Sequence, residues 1–395
     1  MHVDRTSAFV IRNGRLVLED SVIESGYILA EHGVIREIGY DDAFPRTLAT
    51  RPITVLDAHG QWILPGFIDL HIHGGDGYEV MDGTVRSLEA ISRFHARHGT
   101  TGWLPTTLTA ETADVERAIQ AAKRAAYRVH DGAQILGVHL EGPFISPKRC
   151  GAQNPKYIIP PSMDILERLT SVAERFVKKV TIAPEQEGAL NAIRWLSTHG
   201  IIASVGHTDA TFQQTRAAIS AGARHATHLF NAMRGLHHRE GGTVGAMLLS
   251  GDVVCELIAD GHHVAPEVMN LAYRLKGRDN VVLITDAMAA AGKPDGDYQL
   301  GQLDVIVKNG VAVLKEGNHL AGSTLTMDGA IRNMVSRVGI HVRDAAYMAS
   351  TVNQRTWSRE YTRIHCLREV CRFSCHGRRI TCRCHMDRRK QVFAR

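Results

Sequence analysis

His71-Ile72-His73 places two imidazoles at the end of an apolar run, where side chains at i and i+2 of a strand share one face. With 22 histidines in the chain, about one such pair arises by chance, so the spacing alone carries little. Its weight comes from the ends of the later apolar runs. His139-Leu140-Glu141-Gly142-Pro143, Gly206-His207-Thr208, His228, Asp260-Gly261-His262-His263 and Thr285-Asp286-Ala287 each put a side chain there that can bind a metal or move a proton. A lone histidine is commonly a satisfied structural residue. Imidazole and carboxylate ligands converging on an open site instead suit Zn²⁺ or Fe²⁺ used in catalysis.

Such side chains need a scaffold that gathers the run ends. From about residue 63, apolar runs at 66–72, 102–107, 135–140, 177–182, 201–205, 226–230, 255–259 and 281–284 alternate with helical patterns, as in 85–98, 112–130, 189–199 and 212–221. Eight strand-then-helix units predict an α/β fold, a (β/α)₈ TIM-type barrel with its chemistry at the C-terminal strand ends. Periodicity alone leaves a doubly wound open sheet as the alternative, and the ligands at the run ends favour the barrel. Residues 1–62 read as a small N-terminal β-domain, with Asn13-Gly14 as a hairpin turn between 8–11 and 16–18. The barrel is assigned to 63–352, with a β-hairpin insertion at 303–320.

Apolar residues make up 44% and charged residues 22% of the 395-residue chain, ordinary values for a globular enzyme. No stretch approaches the length of uncharged apolar sequence that a membrane span needs. The opening residues carry no basic segment followed by an apolar one, so a cytoplasmic protein is expected. The net charge of +5 is uneven: residues 353–395 carry +9 and the remainder −4, which gives the main body no reason to seek nucleic acid. Only Cys150 and Cys255 precede the tail, as suits a reducing compartment.

The segment Gly66-Phe67-Ile68-Asp69-Leu70-His71-Ile72-His73-Gly74 resembles the strand-one signature of the amidohydrolase superfamily. The later segments around Glu141, His207, Thr227-His228-Leu229-Phe230-Asn231-Ala232-Met233, His263, Asp286 and Leu320-Ala321-Gly322-Ser323-Thr324 resemble its deacetylases of phosphorylated N-acetyl amino sugars. The match runs to about Val352. This resemblance implies one or two divalent ions per subunit, zinc or iron, with Glu141, His207 and His228 at the main site and His71 and His73 at a second. Many amidohydrolases bridge two ions with a carbamylated lysine at the end of strand four, but Lys178 and Lys179 lie near that strand's start, so Glu141 is the expected shared ligand.

The resemblance also implies roles around the substrate. Asp286 is the expected general base, moving a proton from water to the departing amine, and His263 polarises the acetyl carbonyl or binds the sugar. Asn231 and the Ala232 N–H are expected on phosphate or sugar hydroxyls, with a plain turn as the alternative for Asn231. Arg239 matches a phosphate-binding arginine that reaches the neighbouring subunit of a homodimer, with a solvated loop charge as its alternative. Ala152, Gln153 and Asn154 are expected to line the sugar pocket. The partner is a small phosphosugar, with neither nucleic acid nor membrane. Competing readings are a cyclic amidase, a nucleobase deaminase, and a non-catalytic or unstable relative.

The resemblance stops where the tail begins. Residues 353–395 are Cys- and Arg-rich and lack period 2 or 3.6, which fits a shifted reading frame replacing the last segment that returns to the β-domain. A zinc knuckle of Cys371, Cys375, Cys382 and Cys384, or a basic nucleic-acid-binding tail, are the alternatives. Loss of the returning strands predicts unpaired edges on the small β-domain.

Overall fold

The computed structural model describes residues 8–45, 53–129 and 131–352, and the backbone of Val370–His376 and Arg379–Cys384. Strand one of the barrel is Phe67–Ile72 and strand two Thr100–Thr107; strand three is split into Gln134–Ile135 and Val138–Glu141. Strands four to eight are Val177–Ile182, Ile202–Val205, His225–Ala226, Val254–Ile258 and Val281–Ile284. Neighbours pair in parallel throughout. The ring closes at the C-terminal end: Ile72 bridges Ala287, the Asp286 N–H donates to the His71 carbonyl, and the His73 N–H donates to the Ala287 carbonyl, both at 2.9 Å. Closure selects the barrel over the open sheet.

Asp69 ties the same seam. Its carboxylate accepts from the Thr285 hydroxyl at 2.6 Å and from the His71 N–H at 3.1 Å, while burial pushes its pKa up to about 7.

The helices form where a cap and an apolar stripe coincide. Val85–Arg97 starts at Thr84, whose hydroxyl accepts the Ser87 N–H, and it buries Leu88, Ile91 and Phe94 against the strands. Phe212–Ala221 opens with a reciprocal capping box between Thr211 and Gln214. Burying a side chain such as Leu88 or Ile91 stabilises the packing by about 1.5–3 kcal/mol. Among the described residues no helix is long and apolar enough to cross a membrane.

The small sheet runs Phe9–Val17, Val22–Glu31 and Val34–Tyr40 antiparallel, with Thr54–Asp57 and Trp62–Pro65 parallel to its first strand. It therefore reaches three residues beyond the expected boundary at 62. Asn13-Gly14 is not the expected hairpin turn. It is a bulge inside one strand, with Asn13 at φ 55°, and a Cβ at Gly14 would displace the Ile63 side chain, whose Cδ1 would lie 2.3 Å away. The insertion after strand eight is three-stranded, Gly296–Leu300, Leu303–Lys308 and Val311–Leu314, so it begins one strand before the expected hairpin. The expected unpaired edge is also corrected: Val370–His376 runs antiparallel to Trp62–Pro65, and Arg379–Cys384 pairs with Val370–His376. The zinc-knuckle reading depends on cysteine side chains that lie outside the described residues.

Candidate metal centre

Six side chains from five strand ends meet inside the barrel mouth in two groups, His71, His73 and Asp286, and Glu141, His207 and His228. In each group the ligand atoms lie within 4.8 Å of one another, and all six residues are buried. Glu141 faces both groups. Its Oε1 is 3.0 Å from His228 Nε2, 3.2 Å from His207 Nε2 and 3.4 Å from His71 Nε2, and its Oε2 is 3.1 Å from His73 Nε2. Asp286 Oδ1 lies 3.2 Å from His73 Nε2 and 3.5 Å from His71 Nε2. His207, His228 and Asp286 all adopt left-handed backbone, at φ 46°, 31° and 52°. Strain of this kind at strand ends is kept where it aims a functional side chain.

The donor set fits cations. His207 Nδ1 donates to the Arg149 carbonyl at 2.9 Å and His73 Nδ1 to the Thr106 carbonyl at 3.1 Å, which leaves the Nε2 lone pair of each facing the cluster. The Nε2 atoms of His207 and His228 stand 3.1 Å apart with Glu141 beside them. Electrostatics point the same way. Burial alone would lower the pKa of His71 and His73, but Glu141 and Asp286 outweigh it and raise them to about 10 and about 9. Burial would raise Glu141, yet the charges of His71 and His207 hold it well below the usual carboxylate range. The cluster is one that favours positive charge.

Above it lies a cleft of about 540 Å³, whose walls include Ala152, Gln153, Asn231, Ala232, His263 and Asp286. His263 is braced by Asp260, which the sequence placed at its run end without a role of its own. Asp260 Oδ2 accepts from His263 Nδ1 at 2.6 Å, and Oδ1 accepts the His262 and His263 N–H groups. Burial would lower the pKa of His263, but this carboxylate overrides it and raises it. Asn231 combines its two readings, since it lines the cleft and its amide also donates to the His228 carbonyl.

Three expected placements change. Gln153 does more than line the pocket: its amide nitrogen donates to Glu141 Oε2 and its oxygen accepts the Thr109 N–H, both at 2.7 Å, so it orients the shared carboxylate. Asn154 lies off the cleft, in a turn where it accepts the Lys156 N–H and donates to Gln302. Arg239 sits on an exposed loop bridged by His237 and Glu240 and does not line this chain's cleft. Glu256 was not singled out from the sequence, and Lys179 and His139 were given no positioning role; all three are fully buried beneath the cluster. Charged residues inside the otherwise apolar runs 253–259 and 177–182 were the available signal.

This barrel with a carboxylate-and-imidazole mouth defines a class, and the amidohydrolase family model matches residues 62–359. The chain belongs to the amidohydrolase family, whose members are metal-dependent. It is 43% identical over 288 residues to an N-acetylglucosamine-6-phosphate deacetylase of Vibrio furnissii, covering 73% of this chain and 72% of that protein. It is 40% identical over 341 residues to an N-acetylgalactosamine-6-phosphate deacetylase of Escherichia coli O157:H7, covering 86% and 87%. Among solved structures, an N-acetyl-D-glucosamine-6-phosphate deacetylase from Mycobacterium smegmatis superposes with a TM-score of 0.86 at 32% identity, over 96% of this chain and 98% of that one.

Proposed function

We propose that the protein hydrolyses N-acetylglucosamine 6-phosphate to acetate and glucosamine 6-phosphate. The observation that carries this reading is the convergence of Glu141, His207, His228 and Asp286 under one cleft that also holds the Asp260-braced His263. Glu141, His207 and His228, and His71, His73 and Asp286, would hold divalent ions, zinc or iron, which when bound would supply Lewis-acid polarisation of the acetyl carbonyl and a water of pKa about 7. Asp286 accepts the proton of the attacking water and returns it to the glucosamine nitrogen, which leaves only when protonated. Asp260 occupies His263 Nδ1 and raises its pKa, so His263 Nε2 donates a hydrogen bond to the acetyl oxygen as charge builds there.

Asn231 and the Ala232 N–H contact the sugar phosphate, and Ala152 and Gln153 wall the sugar. Arg239 completes the phosphate site from the second subunit of a homodimer, which accounts for its exposed position away from its own cleft. The setting is the cytoplasm. The Escherichia coli relative named for the galactosamine epimer makes the orientation of the C4 hydroxyl the point of specificity to measure.

The test is acetate release by purified, metal-reconstituted protein supplied with N-acetylglucosamine 6-phosphate, its galactosamine epimer and unphosphorylated N-acetylglucosamine. The glucosamine phosphate is expected to be turned over fastest. No release from either phosphorylated sugar overturns the proposal, and faster release from the epimer reassigns the substrate.

A further inference from the structure

Glu256 and Lys179 take no part in the chemistry above, yet both are fully buried directly beneath it. Glu256 lies in strand seven and Lys179 in strand four, so they meet across the barrel interior rather than along neighbouring strands. The Lys179 ammonium donates to Glu256 Oε1. Oε2 faces two donors, His71 Nδ1 at 3.3 Å and the His228 backbone N–H at 3.3 Å. One carboxylate thus touches a member of each ligand group.

The consequence follows from the imidazole having two nitrogens. A carboxylate only accepts, so His71 Nδ1 carries the hydrogen and Nε2 presents a lone pair to the cluster, 3.2 Å from His73 Nε2 and 3.4 Å from Glu141 Oε1. Lys179 pins Oε1, which fixes the rotation that aims Oε2 at His71, and it compensates a charge that would be costly to bury alone. We propose that Glu256, oriented by Lys179, is a positioning residue that fixes His71 as an Nε2 ligand and so creates the second ion site. This rests on the two-ion reading given above. It also explains why Lys179 does not serve as a carbamylated bridge: its Nζ is engaged by Glu256, well below the strand end.

The pair could instead merely fill the barrel interior, and isosteric variants separate the two roles. In Glu256→Gln, the charged Lys179 still demands an oxygen more strongly than the neutral His228 N–H at 3.3 Å does, so the amide turns its NH₂ toward His71 Nδ1. His71 is then driven to the tautomer with hydrogen on Nε2, where the ion would sit. In Lys179→Met/Glu256→Gln that demand is gone, the amide oxygen is free to face His71, and the ligating tautomer returns. Lys179→Met/Glu256→Leu buries no charge either but offers His71 no acceptor.

The readout is the zinc-to-protein ratio by plasma mass spectrometry after reconstitution and dialysis, with folding followed by circular dichroism. Wild-type protein is expected to hold two equivalents, Glu256→Gln one, the Met/Gln pair two and the Met/Leu pair one. Two equivalents in Glu256→Gln, or one in the Met/Gln pair, overturns the proposal. If Glu256→Gln does not fold, the two double variants decide: a higher count for Met/Gln supports positioning, and equal counts overturn it. A wild-type ratio of one overturns the two-ion reading and this proposal together, while acetate release by the same preparation keeps the deacetylase reading separate.

Discussion

Asp286→Asn probes the proposed chemistry at the point where a single atom type matters. The amide is isosteric with the carboxylate, so the substitution opens no cavity in a site where Asp286 is 7% exposed, and its oxygen can keep the 3.2 Å approach to His73. What disappears is a group able to accept a proton, together with the charge of one ligand of the second site, whose oxygen remains. A positioned general base contributes about 10²–10⁴ in rate, and the proton returned to the amine is the same one taken from water, so the loss is counted once. Turnover should therefore fall by about 10²–10⁴, equivalent to about 3–5.5 kcal/mol at about 1.4 kcal/mol per decade. KM should change little, because Asp286 is not assigned to substrate binding. Glu141, His207 and His228 remain intact, so the main-site ion should stay. The assay pairs steady-state acetate release with metal analysis of the same preparation. Turnover within about tenfold of wild type, with the main site full, would refute Asp286 as the proton carrier.

The other predictions address the ions, the braced histidine, the strand closure and the phosphate. His71→Asn/His73→Asn should lose one ion and keep the other, whereas Glu141→Ala should lose both, because its two oxygens face both groups; a double-histidine variant wholly free of metal refutes the two-group picture. Asp260→Asn tests linkage. The raised His263 pKa gives stability that is full below its unfolded value and lost as pH rises through the folded one, while the lowered Asp260 pKa gives stability lost only in acid. With unfolded values of about 6.5 and 3.9, the Tm deficit of the variant should be larger near about pH 5.5 than near about pH 9, and a deficit independent of pH refutes the pair. Gly74→Ala should cost about 1–3 kcal/mol by denaturant melting, since its Cβ would sit 2.4 Å from the Tyr78 carbonyl oxygen and 2.8 Å from the Ala289 nitrogen, backbone atoms that cannot yield; wild-type stability contradicts this packing. Arg239→Ala should raise KM for the phosphorylated sugar far more than for N-acetylglucosamine, and equal effects show another role.

Much of the barrel was legible because its signals are local. Apolar runs broken by helical stretches mark eight strands without knowledge of which strands touch, and His71, His73, Glu141, His207, His228 and Asp286 stand out because each lies within or just past the C-terminal part of its run. Where local signals compete, the reading slipped. Asn13-Gly14 is chemically a turn pair, but pairing with Val22–Glu31 on one side and with Thr54–Asp57 on the other carries the strand through it as a bulge. The tail shows no period, yet the free edge of Trp62–Pro65 supplies backbone partners that need no side-chain pattern.

What only the tertiary structure decided are the contacts set by the stagger of the closed barrel. Composition could say that Lys179 and Glu256 are charged residues in apolar runs; only closure brings strands four and seven face to face and lays that pair under His71 and His228. The same holds for Gln153, read as a pocket wall until the loop after strand three turned its amide back onto Glu141. Side-chain type and spacing determine which chemistry is available, because they are properties of a strand and its end. Which oxygen faces which nitrogen depends on the register between strands far apart in sequence, and that register exists only once the ring has closed.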